Sequence, residues 1–246
     1  MFETLITIAS TVAGAIAALA GFGIGSLLTP LLAVRFGTKL AVAIVAVPHL
    51  AGTAYRFISL RKHVDRGVFL RFGLLSAAGG LIGALLNAKA NSPVLTIVLG
   101  ALLLFAGGTG VTGLADRMRF GRGVAPIAGG LSGLFGGLVG NQGGIRSAAL
   151  LGFDIPKESF VATATAIALA VDAARLPVYL ATQHQAMSGA WPAMLAATVG
   201  VLAGTIFGVR LLRRIPENIF RRSVAGLVLL LGIYMLVHGI RELSGP

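Results

Sequence analysis

Gly129-Gly130-Leu131-Ser132-Gly133-Leu134-Phe135-Gly136-Gly137-Leu138-Val139-Gly140-Asn141-Gln142-Gly143-Gly144-Ile145-Arg146 is the stretch whose reading decides the fold. It lies inside an apolar run from about residue 123 to about residue 152. A straight helix of roughly 30 residues would be about 45 Å long, against a hydrocarbon core of about 30 Å. The run is therefore too long for one crossing, and its middle is Gly140-Asn141-Gln142-Gly143-Gly144. Glycine there weakens a helix and permits a tight turn. A second over-long run, at about 5–34, is broken in the same way at Gly21-Phe22-Gly23-Ile24-Gly25. Glycine-interrupted apolar segments at matching places in two halves of a chain are the pattern of a transporter binding site.

The remaining apolar stretches run at about 40–60, 68–87, 93–114, 157–181, 188–212 and 219–240, each of ordinary spanning length. Of the 246 residues, 56% are hydrophobic and 11% charged, where a soluble domain carries about 25% charged residues. Mean hydropathy is +0.91. The fold class is thus an all-α polytopic integral membrane protein, one membrane domain over residues 1–246 with no soluble module attached. The expected partners are the lipid bilayer and a small anion, with a second copy of the chain, as a homodimer, among the candidates. The net charge of +12 does not indicate nucleic acid. The basic residues fall in the connections, neither on one amphipathic face nor interleaved with aromatics. The absence of cysteine excludes disulfides and thiolate metal sites. No histidine or carboxylate pair has metal-ligand spacing, and no Gly-Lys-Ser/Thr phosphate loop occurs, so no metal, cofactor or ATP-driven step is expected. Met1-Phe2-Glu3-Thr4 lacks the basic region of a cleaved signal, so the first apolar run is expected to remain as structure.

The two halves match. Gly21 and Gly25 pair with Gly140 and Gly144, and Phe36-Gly37-Thr38-Lys39 resembles Phe153-Asp154-Ile155-Pro156-Lys157. At the same spacing Arg56 pairs with Arg175. Gly79 and Gly83 pair with Gly200 and Gly204, each a GxxxG suited to close helix packing, and Gly100 pairs with Gly226. This is an internal duplication, repeat one over 1–115 and repeat two over 123–246.

Counting Lys and Arg selects a topology. If each long run crossed once, the connections and termini would carry nine basic residues on one side and eight on the other. If each run is a re-entrant hairpin folding back at its glycines, one side holds Arg61, Lys62, Arg66, Arg71, Arg117, Arg119, Arg122, Lys157, Arg210, Arg213, Arg214, Arg221 and Arg222. The other side keeps Arg35, Lys39, Lys89 and Arg241. Thirteen against four satisfies the positive-inside rule. Each repeat then has one re-entrant hairpin and three spanning helices, the repeats are inverted, and both termini lie outside the cytoplasm.

Charges inside apolar runs are costly, so they mark candidate sites. Arg56, Arg146 and Arg175 are the basic residues so placed, and Asp172 is the carboxylate. Asp172 and Arg175, three apart, share a helical face and can pair. Snorkelling toward the nearby connections is the competing reading for Arg56 and Arg175. Their equivalence in the two repeats favours a shared role in binding. Residues after each break begin a half-helix whose free N–H groups favour an anion. Gly23, Gly25 and Ser26, with Thr29 further on, belong to the first such site, and Gly143, Gly144, Arg146 and Ser147 to the second. Asn141 and Gln142 add side-chain donors. Mere close packing of helices is the competing reading of the glycines. Thr53, Thr163 and Thr165 either line the same cavity or bond back to their own helices. Asp172 is a candidate for coupling or for charge balance.

Gly130-Leu131-Ser132-Gly133 also spells the GxSG of rhomboid-type intramembrane proteases, for which His49, mid-span beside Pro48, is the one plausible base. The sequence around it is rich in small residues, so the motif arises there cheaply, and a non-enzymatic protein is expected.

Gly21-Phe22-Gly23-Ile24-Gly25-Ser26-Leu27-Leu28-Thr29-Pro30 resembles the glycine-rich opening motif of the TauE/SafE sulfite-exporter family, and residues 129–140 resemble that family's second-repeat motif. The resemblance extends to chain length and duplication. It implies secondary transport of sulfite, sulfonates or related sulfur-containing anions across the inner membrane. The polar Gly140-Asn141-Gln142 departs from the usual continuation, which often carries glycine and proline. A gated anion channel is the alternative from another class.

Overall fold

The computed structural model describes residues 2–20, 23–116, 118, 123–153, 155–208 and 216–244. Gly21 and Phe22 of the first break, Asp154, and Arg117, Arg119, Arg122, Arg210, Arg213 and Arg214 of the basic connections lie outside them. Among the described residues the chain is helical, with no strand. Its helices are α1 (Phe2–Ala20), α2 (Ile24–Leu60), α3 (Arg66–Lys89), α4 (Ser92–Thr112), α5 (Ala125–Val139), α6 (Gly143–Leu150), α7 (Lys157–Gly189), α8 (Trp191–Ala203) and α9 (Glu217–Ser244). A π-turn, Phe69–Gly73, lies near the start of α3, and another, Gly204–Gly208, continues α8. Among the described residues six helices are long and apolar enough to cross a membrane, while α5 and α8 are apolar but shorter. The chain is a multi-pass membrane protein.

Both over-long runs are divided at their glycines. The first yields α1 and the first arm of α2, with Gly23 (φ 132°) between them in a conformation that favours glycine. The second yields α5 and α6, and Gly140 (φ 74°) ends α5 in the left-handed conformation. Neither run is one straight helix. The Phe2 and Phe36 rings meet edge to face at 6.0 Å, so the first arm of α2 returns to the level at which α1 began. Arg35 lies over the Phe2 ring at 4.3 Å, near Glu3. In the second run Ala125 and Phe153, its two ends, share one apolar cluster. The sequence suggested a connection between the stretches at 5–34 and 40–60. The helical path instead resumes almost at once, bending at Gly37 (φ 71°, ψ 155°).

Side-chain contacts sort the connections into two groups. His63 lies 3.8 Å from Glu158, and the Asp65 N–H donates to Thr163 Oγ1 at 2.9 Å, joining the start of α7 to the connection before α3. At the other end Lys39 Nζ donates to the Ala88 carbonyl at 2.7 Å, Thr38 and Thr96 share a 2.6 Å hydrogen bond, and Gln183 reaches Asn87 at 3.2 Å.

The helices pack in matched pairs. α1 lies along α8, and α5 lies along α3; α4 packs on α9, and α2 on α7. Glycine permits these approaches. A Cβ on Gly79 or Gly83 would overlap the carbonyl of Gly130 or Leu134, and one on Gly133 or Gly137 that of Ser76 or Gly80. Across α1 and α8, Gly14, Gly200 and Gly204 face Val201, Thr7 and Thr11 backbone in the same way. The GxxxG pairs thus act as expected. Between α4 and α9, Gly100 lies against Leu236 and Gly232 against Leu103 and Leu104, while a Cβ on Gly226 would meet open space.

Candidate functional site

The centre of the molecule, where α2 crosses α7 beside the two glycine breaks, is polar. Asp172 and Arg175 face the same way on α7, as their spacing predicted. Arg175 donates to Asp172 Oδ1 through Nε at 3.0 Å, with Nη2 at 2.8 Å from the same oxygen. The other carboxylate oxygen, Oδ2, is 2.6 Å from His49 Nδ1 on α2. Asp172 is fully buried and both of its oxygens are engaged, so neither is left without a partner in a medium that would penalise it.

Arg56 and Arg175 both reach back to a helix that ends at a glycine break. Arg175 Nη1 donates to the Gly136 carbonyl at 2.6 Å, and the Tyr179 hydroxyl donates to that of Gly137. Arg56 Nη1 donates to the Ala17 carbonyl, while its Nη2 is 3.4 Å from Thr53 Oγ1. These carbonyls lie in or near the last turns of α5 and α1, where the helix dipole is negative and a guanidinium is favoured. Arg175 is 1% exposed and Arg56 7%, so neither snorkels to a surface.

The two breaks touch. A Cβ on Gly25 would overlap the Gly140 carbonyl, and Ser26 Oγ donates to Asn141 Oδ1 at 3.5 Å. Thr29 Oγ1 and Arg175 Nη1 lie within 4 Å of where a Gly140 Cβ would stand. Only glycines at these tips let backbone meet backbone. Thr29 Oγ1, Asn141 Nδ2, Gln142 Nε2 and Arg56 Nε are buried and take no hydrogen bond among the described residues. Buried polar groups are ordinarily paired, so this set invites a polar guest. Arg146, one turn into α6, is buried and within electrostatic reach of Arg56 and Asp172. Gly144 borders a small cleft with Asn141, Gln142, Ile145 and three residues of α4, and Gly143 opens α6. Gly23 caps α2 and packs on Ile16, on the α1 side of the first break.

Several sequence readings divide here. Thr53 joins the cluster, but Thr163 accepts from the Asp65 backbone and Thr165 bonds back to Val161 at 2.7 Å. Ser132 of the GxSG donates to the Gln142 carbonyl at 3.0 Å, and no hydrogen bond joins it to His49 among the described residues, so the serine–base contact of a protease is not formed. The sequence reading left His49 and Tyr179 out of the site. His49 lies mid-span and Tyr179 one turn past Arg175, positions that could have marked both. No group of three or more metal-ligating side chains occurs among the described residues.

No curated protein and no solved structure matches the chain. A sequence model does: that of the family described as Sulfite exporter TauE/SafE, over residues 6–235. With a glycine-broken membrane bundle and a match over nearly its whole length, the chain belongs to the TauE/SafE sulfite exporter family, a family of transporters.

Proposed function

We propose that this protein is a secondary transporter of small sulfur-containing oxyanions, sulfite or organosulfonates, in the inner membrane. The observation that carries the reading is the contact between the two breaks, Gly25 against the Gly140 carbonyl. It gathers the N-terminal ends of α2 and α6 with the amide nitrogens of Asn141 and Gln142, which have no hydrogen-bond partner among the described residues. Backbone N–H groups at helix starts and amide donors are suited to oxyanions. Gly23, Gly25, Ser26, Asn141, Gln142, Gly143 and Gly144 frame the site, Arg56 and Arg146 bring positive charge, and the Arg175–Asp172 pair borders it.

The two repeats are inverted in this reading and the broken runs are re-entrant hairpins. Matched helix pairing and the return of Phe36 to Phe2 support it. So does the segregation of connections: Lys62 and Lys157 belong to one end, Phe2, Lys39 and Lys89 to the other. Rocking of one repeat against the other about the meeting point of the breaks would give alternating access.

Purified protein in proteoliposomes loaded with unlabelled sulfite is expected to accumulate radiolabelled sulfite transiently above equilibrium. That counterflow marks a carrier. Flux that only relaxes to equilibrium would mean a channel, and no saturable flux of sulfite or any sulfonate would end the oxyanion reading.

A further inference from the structure

The duplication places the two arginines in equivalent settings that differ in one charge. Arg56 follows Thr53 by three residues, as Arg175 follows Asp172. Each arginine sends Nη1 to a carbonyl of its own repeat's first arm, Ala17 or Gly136, and these carbonyls are themselves at equivalent positions. Beyond that the settings part. Arg175 is bound by a carboxylate through two nitrogens, and His49 occupies that carboxylate's other oxygen. Arg56 has a hydroxyl at 3.4 Å, an Nε with no partner, and no ion pair among the described residues. It is 7% exposed. A buried guanidinium without a counter-ion is costly, and a protein keeps one where an anion is to be received.

The groups within electrostatic reach of Arg56 sharpen this. Asp172 is the one carboxylate near it among the described residues, already claimed by Arg175 and His49, and Arg146 is a like charge. An arriving oxyanion would relieve that repulsion. At Arg175 it would have to displace a buried carboxylate that it could not outcompete without leaving Asp172 unpaired.

Resting on the oxyanion-transport reading above, we infer that the duplicated arginines have divided their work: Arg56 meets the charge of the substrate, and Arg175, neutralised by Asp172, is a positioning residue for the second break. The single exchange of threonine for aspartate between equivalent positions 53 and 172 sets which arginine is open. Arg175 and Tyr179 hold successive carbonyls of α5 just before Gly140, and this keeps Asn141 and Gln142 presented toward the first break.

The test transplants the difference. Full-length wild type, Thr53→Asp, Thr53→Asn and Arg56→Gln are purified in detergent, and sodium sulfite is titrated under nitrogen with melting temperature as the signal. A hydrogen-bonded charge is worth a factor of about ten or more in affinity. Thr53→Asp is therefore expected to weaken sulfite binding at least about tenfold, because it supplies Arg56 with the carboxylate that Arg175 has. Without sulfite it should melt no lower than Thr53→Asn, since its new charge is compensated at once. Thr53→Asn, of matching size and neutral, should lose markedly less affinity. Wild-type affinity in Thr53→Asp would overturn the division of labour. Should Thr53→Asp fail to fold, Arg56→Gln decides: a similar loss supports the proposal, and full affinity overturns it. Wild type that shows no sulfite-dependent shift would instead remove the oxyanion reading on which this one stands.

Discussion

At the scale of single residues, Asp172 decides how the centre is balanced. It neutralises Arg175 from three residues away and meets His49 from another helix, and it is the one buried carboxylate among the described residues. Removing one member of a buried pair typically costs about 3–5 kcal/mol, because the remaining charge is left without compensation. Asp172→Asn is expected to melt well below wild type, and Asp172→Asn with Arg175→Gln should recover much of the difference. Calorimetry or dye-reported melting in detergent measures both. An Asp172→Asn protein with unchanged melting would show that Arg175 does not depend on it. Transport adds a second reading. If Asp172 also carries a coupling proton, exchange of labelled sulfite persists in the single variant while pH-driven accumulation disappears. The sequence displayed Asp172 and Arg175 plainly, as charges in an apolar run three residues apart. It could not show His49 beside them, because 123 residues separate the two partners.

Elements pack here through glycine faces, and a single motif contains both a tolerant and an intolerant position. Gly133 on α5 lies against the Ser76 carbonyl of α3, whereas a Cβ on Gly130 would meet nothing within 4 Å. Gly133→Ala must push two helices apart at a backbone contact that cannot rotate away, at a cost of about 1–3 kcal/mol or more. Gly130→Ala removes a helix-weakening glycine and is expected to be neutral or stabilising by up to about 1 kcal/mol. Comparing monodisperse yield and melting temperature of the two variants checks this. Equal behaviour would mean that α3 and α5 are not held by backbone approach. Spacing alone marked the GxxxG positions, and Gly79, Gly83, Gly200 and Gly204 are all at close contacts. Alignment of the halves gave Gly226 as the counterpart of Gly100 but said nothing of its azimuth: Gly100 packs on Leu236, whereas a Cβ on Gly226 would meet nothing within 4 Å. The merging of two expected stretches into α2 has a similar origin. Gly37 absorbs the change of direction in one residue, and no loop is needed.

For the molecule as a whole, the proposed topology makes a sidedness prediction. The chain contains no cysteine, so single cysteines can be introduced without background. Cysteine at Glu3 or Ser244 is expected to react with an impermeant thiol reagent added from the periplasm, and cysteine at Lys62 to react only after the membrane is opened. Protection of both Glu3 and Ser244 would end the inverted arrangement and the hairpins together. The sequence by itself determined that the chain is a helical membrane protein, where its two over-long runs must break, and which charges are buried at a cost. Those conclusions rest on composition, run length and local backbone preference, which act over a few turns of chain. Only the tertiary structure decided that the two breaks touch, that Asp172 gives one oxygen to Arg175 and the other to His49 while Arg56 has no carboxylate bound to it, and that Thr163 and Thr165 stand apart from the site. Those outcomes depend on which helix faces which across the bundle, and contacts between distant segments are set by packing, not by any local pattern.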